Sequence, residues 1–340
     1  MAKKLILVTG GAGYIGSVLV RKLLEDGFAV RVYDRFFFGE TLPTDPDLEA
    51  IRGDVRNLRS SVVDGVFGIL DLAAISNDPA GELDPTKTLD INYRSRRRLQ
   101  EIASESGVER YVLASSCSVY GFQEGILTED SPTNPLTTYA EANIRAEKAA
   151  MELERSGTDL SITVLRQATV YGLSQRMRFD LAINGMTLGM WQNGQIPLMR
   201  DGNQWRPMVH VRDTSDAFIK VLRADTSKVN GETFNVGAND QNYQLMQLAR
   251  LVAQGLNKEF KFEWYGQPDH RSYQIDFSKI ARVLDFKTEW TVERAAAEIA
   301  SALSAGIVTP DEKTKTMAWY QLLQSWQDRL AVIAPDGVIL

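Results

Sequence analysis

The stretch TGGAGYIG at positions 9–16 holds the first residues whose types and spacing could do chemistry. Gly11, Gly13 and Gly16 satisfy G-x-G-x-x-G, and Gly10, Gly13 and Gly16 give the wider G-x-x-G-x-x-G spacing. Glycine is needed where a backbone turns sharply and where it must approach a pyrophosphate closely. A helix opening at the same point then offers its unpaired N–H groups to the phosphates. Tyr14 and Ile15 lie inside this turn. Asp34 stands eighteen residues after Gly16, where a carboxylate accepts a hydrogen bond from a ribose 2′-hydroxyl. The same carboxylate repels a 2′-phosphate, so the pattern favours NAD over NADP. Arg35 beside it pulls the other way without reversing the preference. RFFFG after Asp34 borders the adenine or is plain packing.

Those residues need a strand before the turn and a helix after it, and the flanking sequence supplies both. KLILVTG reads as a first strand. YIGSVLVRKLLEDG reads as a helix with Ile15, Val18, Leu19 and Leu23 on one side, ending at Gly27. AVRVYD is a second strand, LEAIRGDV contains a third and GILDLAA a fourth. RYVLASSCSVYG reads as the fifth and SITVLRQATVYG as the sixth, with a long helix over KTLDINYRSRRRLQEIASESG between strands four and five. Alternation of short β-rich runs with helices predicts α/β architecture, a Rossmann doubly wound parallel sheet. After Gly172 the rhythm changes, which predicts a smaller mixed C-terminal substrate domain. The expected division is 1–172 for the NAD-binding part, with 205–236 returning to it, and 173–204 plus 237–335 for the other.

Bulk composition narrows the function classes. The chain has 340 residues, 44% hydrophobic and 24% charged, as expected of a soluble globular protein. A net charge of −6 and a pI near 5.2 argue against nucleic acid as a partner, which would require a basic footprint. The single cysteine, Cys117, excludes an internal disulfide and points to a reducing, cytoplasmic compartment. The apolar run Leu5–Val8 is too short for a signal-peptide core or a membrane span. No His/Cys/Asp cluster has metal-ligand spacing.

Beyond the glycine turn, ordered motifs run along nearly the whole chain: GDV at 53–55, LAA at 72–74, Asn92, SSCSVYG, Tyr139, LRQATVYG, WRPMVHVRD, FNVG at 234–237 and PDHRSY at 268–273. In this set the chain resembles the extended short-chain dehydrogenase/reductase family, in its NAD-dependent nucleotide-sugar epimerase/dehydratase branch. The resemblance implies that Ser116 and Tyr139 flank the sugar C4, with the tyrosine as a phenolate taking the hydroxyl proton while NAD takes the hydride. It implies cofactor contacts from Asp54 and Val55 at the adenine, and from Leu72, Ala73, Ala74, Asn92 and Ser115. It places Arg206 and Arg271 on the diphosphate of a nucleotide-diphosphate sugar. Asn77, Ser118, Thr169, Arg178 and Asn184, with Arg176, fall on the sugar-nucleotide side. A homodimer is implied through the long helix and the Tyr139 helix.

Two departures sharpen the expectation. The dehydratases carry Asp-Glu after the catalytic serine or threonine, whereas this chain has Cys117-Ser118, so water elimination lacks its groups. Strand alternation would put Ser116 and Ser118 on one face and turn Cys117 away. What remains is a 4-epimerase or a 4-oxidoreductase. The second departure is in TTYAEANIRAEK: the family pattern has a lysine four residues after the tyrosine, and here stands Asn143. Four residues advance about 400° on a helix, so position 143 sits beside Tyr139, and neither Arg145 nor Lys148 can reach that place. Asn143 can hydrogen-bond a ribose hydroxyl but brings no charge. An enzyme using another source of charge and a catalytically impaired NAD and sugar-nucleotide binder with a structural or regulatory role both fit. His210, inside MVHVRD, is expected to be a hydrogen-bonded structural histidine. The arginines of 94–98 are expected on a solvated helix face.

Overall fold

The computed structural model describes residues 3–267, 272–334 and 337. A seven-stranded parallel sheet forms its centre: β1 (Leu5–Thr9), β2 (Ala29–Asp34), β3 (Leu48–Arg52), β4 (Val66–Asp71), β5 (Arg110–Ser116), β6 (Ser161–Gln167) and β7 (Glu232–Val236). Their spatial order is β7-β6-β5-β4-β1-β2-β3. The chain builds outward from β1 to β3, then returns to the other side of β1 with β4. That reversal opens a crevice at the carboxyl ends of β1 and β4, the place where such sheets bind ligands. Ile6 and Val8 bury one face of β1 and Leu7 the other, in two separate apolar clusters. Helices cover both sides, so the sheet is doubly wound as the alternation predicts.

Helix α1 (Tyr14–Glu25) ends as its sequence says it should. Gly27 adopts φ +84°, Gly27 N–H donates to Leu24 O and Phe28 N–H to Leu23 O, which together close the last turn. The helical stretch after β4 is less regular than its sequence suggests. It opens at Pro85 behind the capping side chain of Asp84, passes through a π turn at Asp90–Arg94, and continues as α2 (Ser95–Glu105). The expected sixth strand is also broken. It leaves the main sheet after Gln167, and Thr169–Tyr171 pairs instead with Met208–His210 in a small second sheet. Tyr139 lies on α3 (Thr138–Arg155), whose first turn is capped by Thr137.

Past Gly172, α4 (Ala182–Asn193), α6 (Leu245–Gly255) and α7 (Val292–Ser304) pack around Ile183, Met186, Leu198, Leu248, Trp290 and Val292. Helix α5 (Val211–Arg223) packs back on α1 beside the main sheet, and α8 (Thr316–Ile333) is the last described helix. Among the described residues no helix is long and apolar enough to cross a membrane.

Candidate active site

One cavity of about 1410 Å³ runs from the glycine turn past the ends of β4 and β5 to the helices beyond Gly172. Gly10, Gly13, Tyr14, Ile15 and Gly16 line it at the β1 end. The turn has no room for side chains: a Cβ at Gly10 would stand 2.8 Å from Ala73 N, and one at Gly16 would stand 2.3 Å from Gly10 O. Asp34 lines the same end, accepting Ala12 N–H at 3.0 Å and Phe36 N–H at 2.7 Å. Burial raises its pKa, and those backbone bonds oppose the shift. Arg35, Asp54 and Val55 complete this wall, with Arg35 Nη1 donating to Asp54 Oδ2 at 2.9 Å. Hydrogen bonding from Arg56 is the main reason the Asp54 carboxyl lies below its usual range. A glycine cradle at a helix start, with a carboxylate ending the next strand, fits a dinucleotide.

Leu72, Ala73, Ala74 and Ser115 line the middle of the cavity, together with Ser116, Ser118 and Tyr139. Strand β5 stops at Ser116, and residues Cys117–Tyr120 form a tight turn rather than more strand. Ser116 Oγ accepts Ser118 N–H at 3.1 Å, which leaves its own O–H free to donate. Ser118 Oγ is buried without a hydrogen-bond partner among the described residues. Cys117 points away, with Sγ 3.4 Å from Arg166 O, and burial pushes its thiol far up. Strand alternation was therefore the wrong reason for a right placement: the turn, not a pleat, brings both serines to the cavity.

Tyr139 is held above its ordinary pKa, by burial first and by Asp78 second, while Ser116, Arg96 and Asn143 oppose the shift. Asp78 opens the short helix Asp78–Gly81 and takes the Thr137 hydroxyl at 2.5 Å. Gly81 lets this helix press on the tyrosine, since a Cβ there would be 3.1 Å from Tyr139 Cβ.

Three predicted site residues stand behind the cavity wall instead of in it. Asn143 is 1% exposed, and its Oδ1 accepts from Arg96 Nη1 at 2.9 Å. Asn92 is fully buried and ties both the N–H and the C=O of Ile75, steadying the loop after β4. Asn184 is fully buried too, donating to Tyr14 Oη and Arg178 O and accepting Gly172 N–H, so it joins α1 to α4. A buried amide that saturates backbone groups is worth more to the fold than to a ligand.

On the far side, Asn77, Thr169, Arg178 and Arg206 line the cavity. Arg178 pairs with Asp180 at 2.7 Å, and Asn77 donates to the same carboxylate. Arg176 is buried over the Phe38 ring at 3.7 Å, and burial pulls its pKa down to about 9. Arg206, Tyr265 and Tyr273 share this end. Arg271 and His270 lie outside the described residues.

His210 is structural as expected. Its ring stacks on Trp290 at 4.1 Å, and Nδ1 accepts Arg212 N–H at 3.2 Å at the start of α5. Two contributors escape the sequence reading. Arg96 is not on a solvated face: it is 2% exposed and lines the cavity, while Arg94, Arg97 and Arg98 around it are exposed. A signal existed, because Arg96 shares a helical face with Asn92, Leu99 and Gln100. The other is α8, whose Tyr320 packs on Phe38 with ring centroids 5.9 Å apart and lines the cavity. No group of His, Cys, Asp or Glu that could hold a metal occurs among the described residues.

Comparison with known proteins agrees with this geometry. The model of the NAD dependent epimerase/dehydratase family matches residues 6–237. A UDP-glucose 4-epimerase of Lactobacillus helveticus is 28% identical over 83% of this chain and 91% of its own. A UDP-glucuronic acid decarboxylase of Xenopus tropicalis is 27% identical over 84% of this chain and 68% of its own. Among solved structures, MoeE5 in complex with UDP-glucuronic acid and NAD superposes with a TM-score of 0.80 at 28% identity, covering 88% of this chain and 99% of that one.

Proposed function

The chain belongs to the NAD dependent epimerase/dehydratase family, as an enzyme that uses NAD to modify nucleotide sugars, and from that premise we propose that it works at C4 of the sugar. The observation that carries this reading is the convergence of Ser116, Ser118 and Tyr139 on the same cavity as the glycine turn. When bound, NAD supplies a hydride acceptor and, on return, a hydride donor at the sugar carbon. Tyr139 takes the C4 hydroxyl proton and gives it back after the ketone stage. Ser116 donates to the oxygen on which charge changes, and Ser118 offers its unpaired hydroxyl to the sugar. Return of hydride to the opposite face gives the 4-epimer; release of the ketone gives net oxidation.

The two residues after Ser116 favour C4 chemistry over elimination, because Cys117 is turned into the core and Ser118 has no carboxyl group. Residues 1–172 with 205–236 form the NAD half of this reading, consistent with β7 joining the parallel sheet. Residues 173–204 and 237–335 form the sugar-nucleotide half, with Arg178 and Arg271 as its cations and Arg206 reaching the same side from the returning segment.

The test is a panel of UDP-, dTDP-, GDP- and CDP-sugars mixed with the protein, following NADH absorbance and product stereochemistry. Inversion or oxidation at C4 of one member supports the reading. If a sugar nucleotide demonstrably binds and none is converted at C4, the reading fails.

A further inference from the structure

The place a lysine would fill beside Tyr139 is reached by a cation from another helix. Arg96 of α2 donates from Nη1 to Asn143 Oδ1 at 2.9 Å, and its Nε lies 4.0 Å from Asp71 Oδ2. That Nε is buried without a hydrogen-bond partner among the described residues. Burying a guanidinium with incomplete hydrogen bonding is costly, so stability alone is a poor reason for it. Its neighbours in sequence do what surface arginines do: Arg94 pairs with Asp90 and Arg97 with Glu101, both one turn away.

We propose that Arg96 is the positioning cation of Tyr139, reaching from α2 through Asn143 to supply the positive charge that a lysine on the tyrosine's own helix supplies in the family pattern. The inference rests on the C4 reading above and says how its base is sustained. Asn143 is the adaptor. With Oδ1 taken by Arg96, its amide can present only N–H groups elsewhere, and among the described residues Nδ2 has no hydrogen-bond partner. An amide so oriented donates to a phenolate better than to a phenol. Arg96 thus acts by its charge across the wall and by fixing the amide.

Among the described residues, the main groups acting on Tyr139 come from four elements. Asp78 from the short helix opposes the phenolate, while the Ser116 hydroxyl from β5, Arg96 from α2 and Asn143 from α3 favour it. Around Arg96, Asp71 of β4 supplies the counter-charge while taking the hydroxyls of Thr9 and Tyr111. Glu147, one turn beyond Asn143, is spent on Arg166 and Ser115.

The experiment titrates the phenolate absorbance of the full chain, with and without NAD, as the difference from Tyr139→Phe. Arg96→Gln is expected to raise the Tyr139 midpoint by about one to two pH units, the usual effect of removing a nearby opposite charge. Arg96→Lys keeps the charge and is expected to hold the midpoint near that of the wild type. The double change Arg96→Gln/Asn143→Lys returns a cation to the tyrosine's own helix and is expected to bring the midpoint back down. The acidic limb of kcat, for whichever sugar nucleotide is turned over, should move with it while KM stays. An Arg96→Gln midpoint equal to that of the wild type overturns the inference. Should the wild type convert no sugar nucleotide while the midpoint still follows Arg96, the C4 reading falls and the Arg96 assignment stands. If Arg96→Gln does not fold, Asn143→Leu decides: it keeps Arg96 but cuts the link to the tyrosine, so a raised midpoint supports the inference and one equal to the wild type overturns it.

Discussion

Arg35 Nη1 donates to Asp54 Oδ2 at 2.9 Å, and Arg56 Nη2 donates to the same oxygen at 2.6 Å. Arg35 is the cation that would welcome a 2′-phosphate beside Asp34, yet it is engaged with Asp54 and lies over the Phe37 ring at 4.3 Å. NAD should therefore bind at least about tenfold more tightly than NADP, a difference of about 1.4 kcal/mol. Asp54→Ala releases Arg35 and should narrow that ratio, measured by calorimetric titration with each dinucleotide. A ratio unchanged by the substitution would place Arg35 away from the 2′ position.

Tyr139→Phe removes the acid/base hydroxyl and should lower kcat by about a hundredfold to ten-thousandfold, the usual range for such a group. Affinity for NAD should stay within about twofold, because the glycine turn and Asp34 are untouched. Ser116→Ala should cost less, since it removes one hydrogen bond to the same oxygen. Steady-state rates beside NAD titrations check both.

Gly16→Ala should unfold the turn before it changes the chemistry. The added Cβ would stand 2.3 Å from Gly10 O and 2.7 Å from Gly11 Cα, and neither is a flexible side chain that could move away. Overpacking of this kind costs about 1–3 kcal/mol. A lower melting temperature together with loss of NAD binding is the expected result. A variant that melts with the wild type and binds NAD normally would contradict the cradle.

His210 should make the fold acid-sensitive. Burial, then Arg212, pull its imidazole down to about 2, whereas in the unfolded chain it titrates at about 6.5. Between those values the unfolded chain holds a proton that the folded chain does not. Stability from this residue is therefore complete above about pH 6.5 and falls as pH drops, by up to about 1.4 kcal/mol per pH unit. Asp213, raised to about 6 mainly by burial, has the opposite slope, because between about 4 and 6 the folded chain holds its extra proton. The difference between the wild type and His210→Phe isolates the histidine. Urea denaturation from neutral to about pH 4 should show the variant losing less stability; parallel curves would refute it.

How far the sequence reached follows from the range of each signal. Local patterns determined the strand–turn–helix of residues 5–25, the parallel alternation, the glycine cradle, Asp34, and the serines and tyrosine of the cavity. The strands, the helix and the glycine turn depend on residues within about one turn or one strand of one another, so spacing carries them. Asp34 follows from its distance along the βαβ unit, and the serines and tyrosine from the family resemblance. The inward turn of Cys117 was legible too, although a tight turn rather than strand pleating produces it.

Tertiary structure decided the rest. Whether Arg96 faces water or the core depends on α2 meeting α3, forty-seven residues on at Asn143. The same holds for Asn92 and Asn184, whose amides are buried and bonded to Ile75, Gly172, Arg178 and Tyr14, and for α8 lying on Phe38. A side chain's composition says what it can bond; only the packing of distant elements says which partner excludes water and takes the bond. The sequence by itself therefore determined the family, the glycine turn between first strand and first helix, and the asparagine at 143. Only the fold decided that a buried guanidinium from a neighbouring helix stands beside that position.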